Sequence, residues 1–260
     1  MSYQHLLYEE QGPIAWVTVN REQALNALNL AVLKELQEVF KAISLNNKLR
    51  VAVITGAGDK AFVAGADIAA MREMTPDEAR SFGDLGHTTM DLIQDCRVPV
   101  IAAVNGFCLG GGLEMALSCD FIYASDRAKL GLPEVNLGLF PGFGGTQRLT
   151  QLIGPGRAKE LIYSARVLSA SEALACGIVN RVAPAAELKG EVTKVALDIA
   201  SKGPVAVALA KQVINRSLRQ TLSPGLKMER ETFVQCFASQ DLKEGFTAFL
   251  EKRKPDFQGK

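Results

Sequence analysis

The sequence predicts an α/β body followed by an α-helical tail. Three observations carry that prediction. Short apolar runs alternate with stretches of helical periodicity as far as about Val182. Beyond it, Pro184, Pro204 and Pro224 punctuate three helical segments, with no further strand pattern. Hydrophobic residues make up 48% of the 260, which excludes a disordered chain and allows a sizeable core.

Each element follows from local pattern. Residues 3–8 and Ile14–Val19 read as strands joined by a Gly12-Pro13 turn, a hairpin. Residues 20–29 form a polar loop. Leu30, Leu33, Leu36, Val39, Phe40 and Ile43 then recur at helical spacing. Residues 51–54 are an apolar strand ended by a Gly56–Gly58 turn. Residues 61–68 (AFVAGADI) are a second strand-to-turn element with little side-chain bulk. Pro76 starts a helix that runs toward Cys96, and residues 101–104 form a buried strand. Pro155 and Ser169 start further helices, and residues 178–182 read as a strand. The last helical segment carries Phe246, Phe249 and Leu250.

Charge and cysteine content narrow the function classes. The net charge is +1, with no basic excess for nucleic acid and no polybasic run for a membrane surface. The first residues show neither a secretory nor a transit pattern, and no apolar run approaches the roughly 20 residues of a membrane span. Five cysteines without a C-x-x-C pattern argue against a disulfide framework or a zinc site. The expected compartment is a reducing cytoplasm. His5 falls in an edge strand and His87 in a polar helical stretch, so neither is adopted as catalytic.

The chemistry concentrates in residues 105–148, which read NGFCLGGGLEMALSCD and then FIYASDRAKLGLPEVNLGLFPGFGGTQR. Glycines 110–112 follow a short strand and precede good helix formers, giving strand, tight turn and helix start. The first amides of a helix lack intrahelical partners and lie at the positive end of its dipole, so a developing oxyanion can bind there. Glu114 falls in that first turn and Glu134 follows Pro133. Either acid alone is ordinary helix-start chemistry. Together, in a stretch with few other charges, they form a pair whose pKa values burial can push apart into one acid and one base. Gly142, Gly144 and Gly145 do not form a phosphate loop, since no Gly-Lys-Ser/Thr follows; they shape a pocket and start a helix.

These motifs closely resemble the enoyl-CoA hydratase (crotonase) family, and the resemblance runs from Ile14 to Phe257. It implies a crotonase-like spiral of ββα units over residues 1–195. A helical C-terminal region, residues 196–260, would build homotrimers that often pair into hexamers. The implied substrate is an acyl-CoA thioester. Two backbone amides, those of Ala66 and Gly111, would stabilise the enolate oxygen. The resemblance assigns Glu114 to activate the attacking water and Glu134 to supply the α-carbon proton. It implies no metal and no cofactor beyond the CoA of the substrate.

By the same resemblance Ala24, Leu25, Ala64, Gly65, Asp67 and Ile68 would bind the CoA portion. Gln23 stands where the family often has lysine, so Arg21 or Lys252 could provide the positive charge instead. The activity so implied is syn hydration of a trans-2-enoyl-CoA to the (3S)-3-hydroxyacyl-CoA. Alternatives are isomerisation or other acyl-CoA chemistry on the same scaffold, and, more remotely, an RNA-binding relative. Branches without hydratase activity usually lack one glutamate of the pair, and the lysines of the helix at residues 34–48 are interspersed with acids rather than massed.

Overall fold

The computed structural model describes residues 3–218 and 220–260. β1 (Leu6–Gln11) and β2 (Ile14–Val19) form the expected hairpin, with Gln11 paired to Ile14 across the turn. β1 lies three residues later than the expected 3–8. The two-residue turn fixes the ladder from Gln11 back to Leu6, so the polar residues Glu9, Glu10 and Gln11 belong to the strand. The N–H groups of Gln4 and His5 instead donate to the Glu35 carboxylate on α1 (Leu30–Leu45). Asn29 caps that helix by accepting from the Val32 N–H, and all the apolar positions named above except Leu30 are buried.

Three strand pairs follow, each sending one strand to each of two sheets. β3 (Val51–Gly56) and β4 (Ala61–Val63) lead to the short α2 (Ile68–Met71) and to α3 (Pro76–Gln94). β5 (Val100–Val104) and β6 (Phe107–Leu109) lead to α4 (Gly111–Ser118). β7 (Phe121–Ser125) and β8 (Lys129–Gly131) lead to a 3-10 turn (Glu134–Leu137) and to α5 (Gly145–Ile153). Then come α6 (Pro155–Ser164), β9 (Val167–Ser169), α7 (Ala170–Ala175) and β10 (Arg181–Ala183). Four helices end the chain: α8 (Leu188–Ala200), α9 (Pro204–Ser217), α10 (Leu222–Cys236) and α11 (Gln240–Leu250). The strand orders are β1-β2-β3-β5-β7-β10 in one sheet and β4-β6-β8-β9 in the other. This repeated step between two sheets is the spiral of ββα units that the family resemblance implies.

The inner strands β2, β3 and β5 of the larger sheet are buried on both faces, which is why they read as continuous apolar runs. Ala52 and Ile54, with Val100, Ala102 and Val104, face the main core. Their neighbours Val51, Val53, Ile101 and Ala103 face the other way, with Trp16, onto Leu188, Val192 and Ala196 of α8. Each fully buried aliphatic side chain contributes about 1.5–3 kcal/mol. Helix α8 therefore belongs to the packing of the sheet, and it runs across residues 195 and 196.

Two further boundaries differ from the sequence reading. The strand expected at 178–182 is Arg181–Ala183. Ile178 and Val179 are buried, but their amides bond to Ala173 O at the end of α7 and are not free for a ladder. Pro133 does not begin an α-helix; it precedes a 3-10 turn that Gly138 closes with φ at 74°. Among the described residues no helix is long and apolar enough to cross a membrane.

Candidate active site

The glycine turn leads straight into α4, whose first residue is Gly111. Opposite it, residues 64–67 run alongside residues 25–28. The Ala64 N–H donates to Leu25 O at 3.1 Å, the Leu28 N–H to Gly65 O at 2.9 Å and the Asp67 N–H to Leu28 O at 2.8 Å. Because extended backbone alternates its hydrogen-bonding direction, Gly65 O and Asp67 N–H face Leu28 while the Ala66 N–H faces the other side. That other side is α4: a Cβ built on Gly111 would lie 3.6 Å from Ala66 N. Among the described residues, neither the Ala66 nor the Gly111 N–H donates to another group of the protein. Two unused amides thus sit side by side at the positive end of a helix.

Glu114, one turn into α4, is 2% exposed. Its Oε1 accepts two backbone N–H bonds, from Phe143 and Gly145, both at 2.7 Å. Burial pushes its pKa up to about 7, against the lowering effect of those two amides. The Glu134 charge adds to the rise and the Arg148 guanidinium opposes it. Glu134, on the 3-10 turn, lies over the glycine turn. Its Oε1 is 3.1 Å from where a Cβ of Gly110 would stand, and that Cβ would be 3.7 Å from the Gly65 Cα. Burial raises the pKa of Glu134 as well. Its Oε2 is buried and without a hydrogen-bond partner among the described residues. A buried carboxylate oxygen left unpaired costs free energy, and such cost concentrates where a ligand completes the bonding.

The pairing of residues 64–67 with 25–28 sets Leu25 beside Ala64, Gly65, Ala66 and Asp67, with Ala24 and Ile68 next to them in the chain. Leu25 adopts a left-handed conformation (φ 47°) and is exposed, as is Ile68. Asp67 is committed elsewhere: it caps α2 and pairs with Arg21 at 3.1 Å. Arg21 also donates to Ala27 O at 2.6 Å, so its charge is largely spent within the loop. Lys252 is exposed beyond the end of α11, where its backbone N–H donates to Phe249 O.

Three residues near the site escaped the sequence reading. Lys60 shares a cavity of about 240 Å³ with Gln23 and Leu25. The Phe143 ring, 5% exposed, packs edge-on against Phe82 with centroids 5.2 Å apart and lies 3.5 Å from the Cβ position of Gly111. Arg148 reaches from α5 to α3 behind Glu114. Only Phe143 had a local signal, a large apolar residue inside a glycine loop.

Known proteins resemble this chain in sequence and in fold. The family described as enoyl-CoA hydratase/isomerase matches residues 9–260. The chain is 48% identical to a crotonyl-CoA hydratase of Syntrophomonas wolfei over 260 residues, covering all of both chains. It is 48% identical to a short-chain-enoyl-CoA hydratase of Clostridium acetobutylicum, covering 98% of this chain and 97% of that one. A crystal structure of an enoyl-CoA hydratase from Bacillus anthracis superposes with a TM-score of 0.96 at 43% identity, over 99% of this chain and all of the other. Whole-length agreement in both sequence and structure leaves one conclusion: the chain belongs to the enoyl-CoA hydratase/isomerase family.

Proposed function

We propose that this protein is an enoyl-CoA hydratase, a hydro-lyase that adds water syn across the 2,3 double bond of a trans-2-enoyl-CoA to give the (3S)-3-hydroxyacyl-CoA. The observation that carries the reading is the buried Glu114 carboxylate and the half-buried Glu134, whose Oε2 is unpaired among the described residues, beside two unused backbone amides. The thioester oxygen accepts from the Ala66 and Gly111 N–H groups, which stabilise the enolate as charge develops. Glu114, with a pKa near working pH, takes a proton from the water that attacks C3. Glu134 delivers the proton to C2, and the proton held by Glu114 passes back to reset the pair. No cofactor is required beyond the CoA of the substrate, because the oxyanion site makes the α-position acidic.

A short acyl chain is the expected substrate. The similar proteins named above include a crotonyl-CoA and a short-chain-enoyl-CoA hydratase, and the Phe143 ring fills space beside Gly111. Lys60, beside Gln23, takes the role of phosphate contact. The test is the loss of ultraviolet absorbance of crotonyl-CoA on adding purified protein alone. Rapid loss, faster than with a 2-octenoyl-CoA, is the expected result. No loss with any 2-enoyl-CoA would defeat the reading and favour isomerase chemistry, the other activity in the family description.

The tail supports a reading of the protein as an oligomer. Residues 196–260 form the proposed oligomerisation region, in a protein of the cytoplasm. Leu222, Phe233, Phe249 and Leu250 are each more than 60% exposed, too much apolar surface to leave in water. Light scattering is expected to give three or six times the 28.0 kDa of one chain. A single-chain mass would remove the oligomer from the proposal.

A further inference from the structure

We propose that Arg148 is a positioning residue for Glu114, fixing the loop at residues 141–145 whose amides hold the carboxylate. The inference rests on the hydratase reading and adds to it a residue that touches no substrate. Glu114 Oε1 has two partners, and both are amides of this one loop. Only Gly144 separates Gly145 from Phe143, with φ at +104°, so the loop is a sharp turn whose amides point inward together. Arg148 holds this turn from behind. Its Nη1 donates to Phe143 O at 3.1 Å, on the same residue whose N–H holds Glu114. Its Nε donates to Gln94 Oε1 at 2.8 Å and its Nη2 to Asp91 Oδ1 at 2.9 Å, both on α3. The rigid guanidinium fork thereby ties α3 to the loop. A side chain at residue 144 would be strained at its positive φ and would displace the Arg148 guanidinium, whose Nη1 its Cβ would meet.

Electrostatics point the same way. The charged groups acting on Glu114 are Glu134 from the 3-10 turn and Arg148 from α5. Arg148 in turn faces Asp91, and also Cys119 just past the end of α4, whose thiol burial raises out of the ionising range. Arg148 is therefore the cation that favours the ionised form of Glu114, the form needed to take a proton from water. Asp91 partly neutralises it.

The test measures kcat/KM for crotonyl-CoA against pH in the wild type, Arg148→Gln, Arg148→Lys and Asp91→Asn, with thermal melts to establish folding. In Arg148→Gln the acid limb is expected to move up, because the cation that favours the ionised form is gone. Its kcat should fall tenfold or more, on the order of what a misplaced catalytic group costs. Arg148→Lys keeps the charge but not the fork, so kcat should fall while the limb stays near its wild-type position. Asp91→Asn leaves more positive charge beside Glu114, so its limb should move down. Opposite shifts in the Gln and Asn variants support the proposal, because a merely structural role predicts lower activity with no shift. If Arg148→Gln does not melt cooperatively, Asp91→Asn decides: a downward limb supports the proposal and an unmoved limb overturns it. An active wild type with unmoved limbs defeats this inference alone; an inactive wild type defeats the hydratase reading beneath it.

Discussion

Glu114→Gln is expected to lower kcat for hydration by about 10²–10⁴-fold, the usual range for a lost general base. The substitution is close to isosteric. The amide oxygen of Gln can still accept from the Phe143 and Gly145 N–H groups, so the loop should stay in place. What is lost is the capacity to take a proton. The same substitution should stabilise the fold at alkaline pH. The folded pKa of Glu114 is about 7 against an ordinary 4.5, so the folded chain binds more protons than the unfolded one between those values. Stability then falls as pH rises through that window, and above pH 7 the buried charge costs about 3 kcal/mol. Gln carries no such charge. Chemical denaturation should therefore find Glu114→Gln more stable than wild type at pH 8 and similar to it near pH 4. Glu134→Gln should also lose activity, since the unpaired Oε2 is the atom that would face C2. Full hydration by either variant would remove that carboxylate from the mechanism.

Local pattern made part of this molecule legible and long-range pairing made the rest illegible. The strands Ile14–Val19, Val51–Gly56 and Val100–Val104 are apolar because both faces of their sheet are covered, and α1 shows its buried stripe directly. The second sheet gave almost no signal. β6, β8 and β9 have three residues each, and their order comes from pairing with one another. No local propensity marks a three-residue strand inside a glycine-rich turn. Glu114 and Glu134 stood out as isolated acids in apolar, glycine-rich sequence, and the fold brings them together with Ala66 and Gly111. Arg148 looked like any helical arginine. Its meaning lies in Asp91 and Gln94, more than fifty residues earlier, and in a backbone carbonyl that no motif displays.

Gly112→Ala is expected to lower kcat by about 10²-fold, although residue 112 touches neither carboxylate. Helix α4 lies directly on the end of β4. A methyl group on Gly112 would collide with Val63 O and would stand 2.8 Å from the Val63 carbonyl carbon. Backbone cannot swing aside as a flexible side chain does, so α4 and β4 must separate. Overpacking of this kind costs about 1–3 kcal/mol. Val63 is the last residue of β4, three before Ala66, and Gly112 is the residue after Gly111. Any separation there spreads the two amides apart. An oxyanion site works because its donors are fixed at the right spacing before charge appears, so the loss should fall on kcat more than on KM. The comparison is Gly190→Ala in α8, where a Cβ meets nothing within 4 Å. That variant should be slightly more stable, by up to about 1 kcal/mol, with unchanged kcat. A Gly112→Ala protein that melts like wild type and keeps its kcat would mean that the contact between α4 and β4 does not set the spacing of the amides.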